Sequence, residues 1–498
     1  MDTQIKNYWS LYLDFLKDFE ALTYNGYSIP YLFGHFYSFV SNNKTLWNAL
    51  ADKKFSKHLK IHVNDRKEVQ DVFNQFTSKH RGSLKQKHKS GAVVFHQDKL
   101  LRISPLAIRR NFSNSNTMIL QAGTNKSKHS NKKKKQGKSR VISAPPAGKT
   151  KAPVQTVPNK VFHHKFPIRF LSNYKTATPE SIAKVQNDAR KIFHAHKNHP
   201  LYQDENFQTH FLRTIPEIIN RLEQSRQFFN THSVSCVVVS TTHGYISRIL
   251  ALVASSKGIP TICMQHGIIA SEFGYLPKLA TVDAVYGKFE VDWYKKIGAP
   301  KKSIEIIGHP RFDQAFERLT VNRLKFERRL GLNSNRPTLM IVCRGEQDIK
   351  LWRTFIETIK GMKINIIIKN YPSKTAHPLT KEYAFVHSTE GYSIYDIFPH
   401  VEAVVAYPST VGLEAMLAKK PVFILNNQVK GYTDYYLSLD RLIHSDPKVL
   451  GKLIRKHFSD PSFRNYARAR QRRFLKYAYP VVTSSSERLK QLVTKLTR

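Results

Sequence analysis

Cysteine is almost absent from the chain: three occur in 498 residues, Cys236, Cys263 and Cys343, each inside an apolar run. Thiols so placed are ordinarily reduced and buried, and no disulfide framework is expected. Acid is scarce as well. Lys and Arg number 80 against 36 Asp and Glu, a formal charge of 80 minus 36, or +44. That excess favours polyanionic partners, whether nucleic acid, an anionic membrane surface or phosphate-rich substrates. No stretch approaches the roughly 18 uncharged apolar residues of a spanning helix, and Met1-Asp-Thr-Gln-Ile5 lacks the basic start and apolar core of a signal peptide. A cytoplasmic protein is expected. Asp-x-Asp, Cys-x-x-Cys and His-Glu-x-x-His are all missing, so no metal site is expected.

With 41% apolar residues the chain is long enough for two or three domains with real cores. Residues 3–22 place Ile5, Tyr8, Trp9, Tyr12, Leu16 and Phe19 near one face of a helix. The polar face carries both signs of charge, which favours packing on the body of the protein over a membrane surface. Residues 1–90 thus read as a helical, aromatic extension, with a further helix near 69–76 and no assignable task. Residues 92–95 and 117–120 read as short buried strands with a polar, Arg-containing connection. Residues 126–151 hold ten Lys or Arg and no acid. Such a run builds no core, and 124–160 reads as a disordered basic insertion, suited to anionic lipid heads or to serving as a solvated tether.

From residue 179 the pattern alternates. Helices at 181–196 and 207–229 precede strands at 234–240 and 260–264 with a helix at 245–255 between them; strands at 283–286 and 304–307 follow. Alternation of this kind means crossovers and a parallel sheet, with ligands beyond the carboxyl ends of the strands. Ser240-Thr-Thr-His243-Gly244, Gln265-His266-Gly267 and Gly308-His309-Pro-Arg311-Phe-Asp313 all fall at such ends. After a charged helix at 315–329, Asn333-Ser-Asn-Arg-Pro337 marks a boundary. A second alternation begins there, with strands at 338–343, 364–369, 383–387, 403–406 and 421–425 and helices at 350–359 and 393–398. The tail, 447–498, is helical and basic, with Pro480 interrupting it.

Between the last two strands, Pro408, Ser409, Thr410 and Gly412 form a small-residue turn ahead of a helix at 413–418. Such a turn aims backbone N–H groups and the positive end of a helix dipole above the sheet. Ser409 and Thr410 add hydroxyls, Gly412 lets a phosphate approach, and Glu414 sits one turn in, where a carboxylate grips a ribose diol. The alternative is an ordinary helix cap followed by a first-turn acid.

Three motifs in order carry a resemblance: Ile259-Pro-Thr-Ile-Cys-Met-Gln-His-Gly267, Gly308-His-Pro-Arg-Phe-Asp313 and Tyr407-Pro-Ser-Thr-Val-Gly-Leu-Glu-Ala415, with Lys420-Pro-Val422 opening the next strand. They resemble the GT-B glycosyltransferases, and more narrowly the CDP-glycerol glycerophosphotransferase and surface-polysaccharide branch. The resemblance covers residues 230–430. It implies an α/β protein with two facing Rossmann-like domains and parallel sheets: an acceptor domain at 91–313, a nucleotide-donor domain at 337–445, and basic helices at 446–498 packing back on the first. It further implies a transferase moving a glycosyl or glycerophosphoryl group from a nucleotide-diphosphate donor to a polysaccharide or lipid-linked acceptor. The donor is a substrate, and no cofactor is implied. The basic insertion and tail would hold such an enzyme peripherally at the inner face of the plasma membrane, where lipid-linked acceptors reside.

Carried over, Ser409, Thr410 and Gly412 hold the diphosphate and Glu414 the ribose, while His266, next to Gly267, is the general base, since imidazole titrates near neutrality. His243, His309 and Arg311 are further cleft candidates, with a structural role favoured for His309. Where the family has Lys or Arg followed by Pro-His-Pro, this chain has Lys369-Asn-Tyr371-Pro372. Tyr371 then donates one hydrogen bond and Lys369 a charge, and Arg344 is the best-placed Arg for a phosphate. Two rivals remain: a nucleotide-sugar 2-epimerase of the same fold, and a non-catalytic basic protein binding nucleic acid or another polyanion. Specific nucleic-acid recognition is not expected, because no RNA-binding module is present.

Overall fold

The computed structural model describes the chain except residues 35, 84–89, 104, 124–165, 317–321, 372, 374, 428–430 and 482–483. The basic insertion expected at 124–160 lies outside the described residues. The first sheet has seven strands: β1 (Ala92–His96), β2 (Thr117–Gln121), β3 (Ile168–Phe170), β4 (Val234–Val239), β5 (Thr261–Met264), β6 (Val282–Val285) and β7 (Ile304–Ile306), in the order β3-β2-β1-β4-β5-β6-β7. The second has six: β8 (Thr338–Cys343), β9 (Asn365–Asn370), β10 (Val386–Ser388), β11 (Ala403–Ala406), β12 (Val422–Leu425) and β13 (Ile443–His444), ordered β10-β9-β8-β11-β12-β13. Every pairing within these two sheets is parallel. In each sheet the order reverses at the first strand, which is the doubly wound arrangement that opens a crevice at the carboxyl ends. The two α/β domains are therefore as the alternation demanded. Strands buried on both faces need continuous apolar runs, and β4, β8 and β11 supply them: all their residues are buried.

Helices join and flank these sheets. Those named below are α1 (Thr3–Asp18), α2 (Arg66–Lys79), α3 (Glu205–Thr231), α4 (Tyr245–Ser256), α5 (Thr410–Leu417), α6 (Pro447–Ser459), α7 (Pro461–Ala478) and α8 (Ser485–Thr497). The N-terminal extension is no appendage. Tyr8, Trp9, Tyr12 and Phe15 of α1 belong to the same core as Phe207 and Phe211 of α3 and Ile249 and Leu250 of α4. Fully buried Glu272, in the loop after β5, accepts hydrogen bonds from Trp9 Nε1 and Arg66 Nε, both at 2.6 Å. A charge taken out of water needs such partners, and here they come from α1 and α2.

Four local readings need correction. Helix α5 begins at Thr410, because Gly412 N–H already bonds the Ser409 carbonyl at 3.2 Å; Gly412 lies inside the first turn. Among the described residues the charged helix spans Arg323–Leu330, capped by Asn322 and closed by Gly331 at φ +68°, and Ala315 belongs to a 3-10 turn at Pro310–Phe316. The strand expected over 383–387 is only Val386–Ser388, since a helical turn at Leu379–Glu382 ties Tyr383 N–H to Leu379. Lastly, the C-terminal helices divide. Leu450 and Ile454 of α6 and Phe463 and Phe474 of α7 join the second core, whereas Leu489, Leu492 and Val493 of α8 pack with Phe95 and Ile262 of the first domain. Breaks at Pro461 and Pro480, the first of them not foreseen, let the chain turn twice.

The seam between extension and first domain is tight at Gly34. A Cβ added there would lie 2.6 Å from the His243 carbonyl oxygen and 2.7 Å from Tyr245 N, both backbone. Gly34→Ala is expected to lower stability by about 1–3 kcal/mol through overpacking. Gly274→Ala, where an added Cβ meets nothing within 4 Å, should be neutral. Urea unfolding of the two variants checks this, and an unperturbed Gly34→Ala would show that the seam yields.

Candidate active site

The carboxyl-end loops of the two sheets meet. After β5 the chain turns through Gln265, His266 and Gly267, and Gln265 holds that turn. Its Nε2 donates to the Gly267 carbonyl at 2.8 Å and to Glu290 Oε1 at 3.0 Å, while its Oε1 accepts from Tyr286 N–H at 3.0 Å. Burial pushes the Glu290 carboxyl up to about 8, against the opposing hydrogen bond from Gln265. Tyr275 OH adds a bond to the Gly267 carbonyl at 2.7 Å, and its ring stacks on His266 with centroids 5.1 Å apart. The imidazole is thus oriented by a ring beneath it and by the Ser240 carbonyl, which accepts from it.

Three imidazoles gather at these loops, and all are electrostatically depressed. Burial, reinforced by the Arg102 guanidinium, pushes His266 down to about 4, while the Asp98 carboxylate pulls the other way. Burial, then Arg248 and His266, holds His243 well below its ordinary value. His309 falls to about 3 through burial and the nearby Arg311. At neutral pH each ring is uncharged and has a lone pair. His309 uses one, Nδ1 accepting from Arg311 N–H at 3.0 Å, and it is only 2% exposed.

On the second domain, Ser409 caps α5 without giving its hydroxyl to any helix N–H. Thr410 Oγ1 accepts from Ile268 N–H of the first domain at 3.1 Å, and a Cβ added to Gly267 would sit 3.1 Å from the same oxygen. Gly412 faces inward: an added Cβ would meet Tyr436 OH at 2.9 Å and Ile424 Cδ1 at 3.1 Å, so the packing under α5 requires glycine there. Glu414 is fully buried and already engaged. Arg311 Nη2 lies 2.8 and 3.0 Å from its two oxygens, and Tyr395 OH donates to Oε2. Burial disfavours the Arg311 charge, but Glu414 together with Tyr371, Tyr395 and Tyr286 raises the guanidinium, which stays protonated.

Tyr371 joins the same network, its hydroxyl accepting from Arg102 Nη1 and Arg311 Nη2, both at 3.2 Å. Its expected part was that of donor; facing two guanidinium groups it is an acceptor. Lys369 turns aside to the Tyr392 carbonyl, and burial lowers its pKa. Arg344 is exposed near Tyr407, whose phenol it acidifies against burial. The structure therefore gathers His266, Gly267, Thr410, Tyr371, Arg311 and Glu414 around one crevice. Among the described residues no group of three or more His, Cys, Asp or Glu is placed to hold a metal.

Beside His266 opens a cavity of about 520 Å³, walled by Trp9, Tyr12 and Phe36 of the extension and by Asp98, His243 and Arg248. Sequence reasoning missed Asp98, Arg102, Tyr395 and the extension's share in this wall. For Asp98 and Arg102 a signal existed, since both follow the carboxyl end of β1 as the His motifs follow β4 and β5.

No family model matches the chain, and no curated protein matches it. Among solved structures it is similar to a glycosyltransferase from Rickettsia africae at 11% identity, covering 82% of this chain and 99% of that one with TM-score 0.47. It is similar to UDP-GlcNAc 2-epimerase from Neisseria meningitidis at 11% identity, covering 81% and 98% with TM-score 0.47. A third is the Anabaena protein HepE in complex with UDP and glucose, at 9% identity, covering 81% and 99% with TM-score 0.45.

Arg311→Ala leaves Glu414 buried without its cation and should cost about 3–5 kcal/mol. Arg311→Ala combined with Glu414→Gln should recover part of that loss, because the second change removes the stranded charge. Urea denaturation of the single and double variants reads the coupling; strictly additive losses would show that the two groups do not sense each other.

Proposed function

We propose that the protein is a metal-independent GT-B transferase that moves a glycosyl or glycerophosphoryl group from a nucleotide-diphosphate donor to a hydroxyl of a polysaccharide or lipid-linked acceptor. One observation carries this reading: the His266-Gly267 turn of the first domain lies directly against Thr410 at the N-terminus of α5 in the second. A base and an anion-binding helix end thus flank one crevice.

In the reaction, the acceptor hydroxyl gives its proton to neutral His266 as its oxygen attacks the donor carbon or phosphorus. The bond to the leaving nucleotide breaks, and the charge gathering there faces the α5 N-terminus, Thr410, Arg102 and Arg311. Glu414 takes the ribose diol by exchanging partners: its oxygens accept the diol hydroxyls while Arg311 turns to the diphosphate. The acceptor hydroxyl enters from the cavity beside His266. A cytoplasmic enzyme with its basic segments against anionic lipid would meet lipid-linked acceptors; no helix among the described residues is long and apolar enough to cross a membrane.

The test is to titrate UDP- and CDP-linked donors against wild type, Glu414→Gln and His266→Ala, then measure transfer at saturating donor. Glu414→Gln should weaken nucleotide binding at least about 10-fold, the loss of a charge-assisted pair of bonds. His266→Ala should slow transfer by about two to four powers of ten with donor affinity nearly unchanged. A folded His266→Ala that transfers at the wild-type rate would remove the base assignment, and free epimerised sugar formed without acceptor would replace the transferase by an epimerase.

The pH profile carries a second expectation. His266 acts as a base only when unprotonated, and its pKa in the free protein is about 4. The acid limb of kcat/KM should therefore fall near pH 4, not near the ordinary histidine value of about 6.5. A limb at the ordinary value would mean that the free protein does not hold His266 in this depressed state.

A further inference from the structure

Arg248, in the first turn of α4, is 2% exposed and lines the cavity beside His266. Its Nε donates to the Thr242 carbonyl at 2.8 Å, and Nη1 to the Tyr31 carbonyl at 3.0 Å and Tyr12 OH at 3.4 Å. All three partners are neutral. Among the described residues Nη2 has no hydrogen bond and no carboxylate pairs with the guanidinium. Asp98, the acid among the cavity-lining residues, gives its oxygens to the Ser240 hydroxyl and to the N–H groups of Leu100 and Leu101. Glu272, next to cavity-lining Phe273, is paired with Arg66. A buried cation without a counter-ion is costly. The same cavity receives the N-terminus of α4, where Gly244 provides no side-chain cap and Tyr245, Ile246 and Ser247 form part of the wall.

We propose that this cavity binds an anionic acceptor, its carboxylate or phosphate seated on Arg248 Nη2 and its body against the rings of the N-terminal extension. The Nη2 amino group can donate to either anion, and Trp9, Tyr12 and Phe36 offer apolar surface to a sugar ring or an alkyl chain alike. The anion held there directs the acceptor's hydroxyl toward His266, which lines the same cavity. Residues 1–80 thereby become part of the acceptor site. The word acceptor rests on the transferase reading; the anion site itself does not.

The experiment measures binding without nucleotide, in the full chain, of two matched probe pairs: methyl glucuronide against methyl glucoside, and octyl phosphate against octanol. In wild type the anionic member of at least one pair should bind 10-fold or more tightly than its neutral partner, and the pair that shows it identifies the anion as a sugar acid or a lipid phosphate. Arg248→Lys should retain the preference and Arg248→Met abolish it. Equal binding within both pairs, or an undiminished preference in folded Arg248→Met, overturns the proposal. Should Arg248→Met fail to fold, crystals of wild type soaked with octyl phosphate and methyl glucuronide decide: an anion within 4 Å of Arg248 supports it, and anions bound only elsewhere overturn it. UDP titration of the same sample separates the two claims, since probe binding without nucleotide binding sinks the transferase reading alone.

Discussion

A guanidinium and a carboxylate, both withdrawn from water, join the two halves of this molecule. Arg311 follows the last strand of the first sheet, and Glu414 lies in the helix after the fourth strand of the second. Desolvating each ion is worth several kcal/mol against folding, and only close geometry offsets it. One nitrogen of Arg311 within 3.0 Å of both carboxylate oxygens, with Tyr395 adding a further donor, provides that geometry. Rotation between the sheets would strand both charges at once. The Thr410 contact with Ile268 is uncharged on both sides and half-buried, and the Arg102 contact with Tyr371 is uncharged on one side and exposed, so neither carries a comparable penalty when broken.

On the proposed reading, that latch engages the groups that would receive a nucleotide. A diol offers donors to a carboxylate and a diphosphate offers acceptors to a guanidinium, so a bound nucleotide would give each partner a replacement of the right polarity. The exchange keeps both charges paired throughout, which makes it possible inside a site that excludes water.

Much of this was legible in sequence. The runs at 338–343 and 403–406 became strands over those same residues, because burial on both faces leaves a continuous apolar signature. His266 and Thr410 were readable for a related reason: strand ends in parallel sheets are where such residues converge. What was not legible is pairing at long range. Nothing around Glu414 announces that Arg311, 103 positions away, takes its carboxylate, nor that Tyr371 would find itself between two arginines. Gly412 illustrates the same limit. Its need for glycine arises from Tyr436, which lies in a distant stretch of the chain. The extension was recognisable as an amphipathic helix, but its partner, the core shared with α3 and α4, depends on the fold being complete.

The charge balance of the cleft connects these points to chemistry. Burial and then Arg102 lower His266 while Asp98 raises it, and the net displacement leaves a neutral but weak base. A diphosphate placed at the α5 N-terminus would add negative charge close to Arg102, compensating the one cation that adds to burial in holding the imidazole down. Its basicity would then rise toward the range in which proton acceptance at neutral pH is efficient. An anion on Arg248 would instead relieve His243, which burial, then Arg248 and His266, hold down. The donor would thus strengthen the base, and the imidazole would accept a proton more readily with the diphosphate in place than without it.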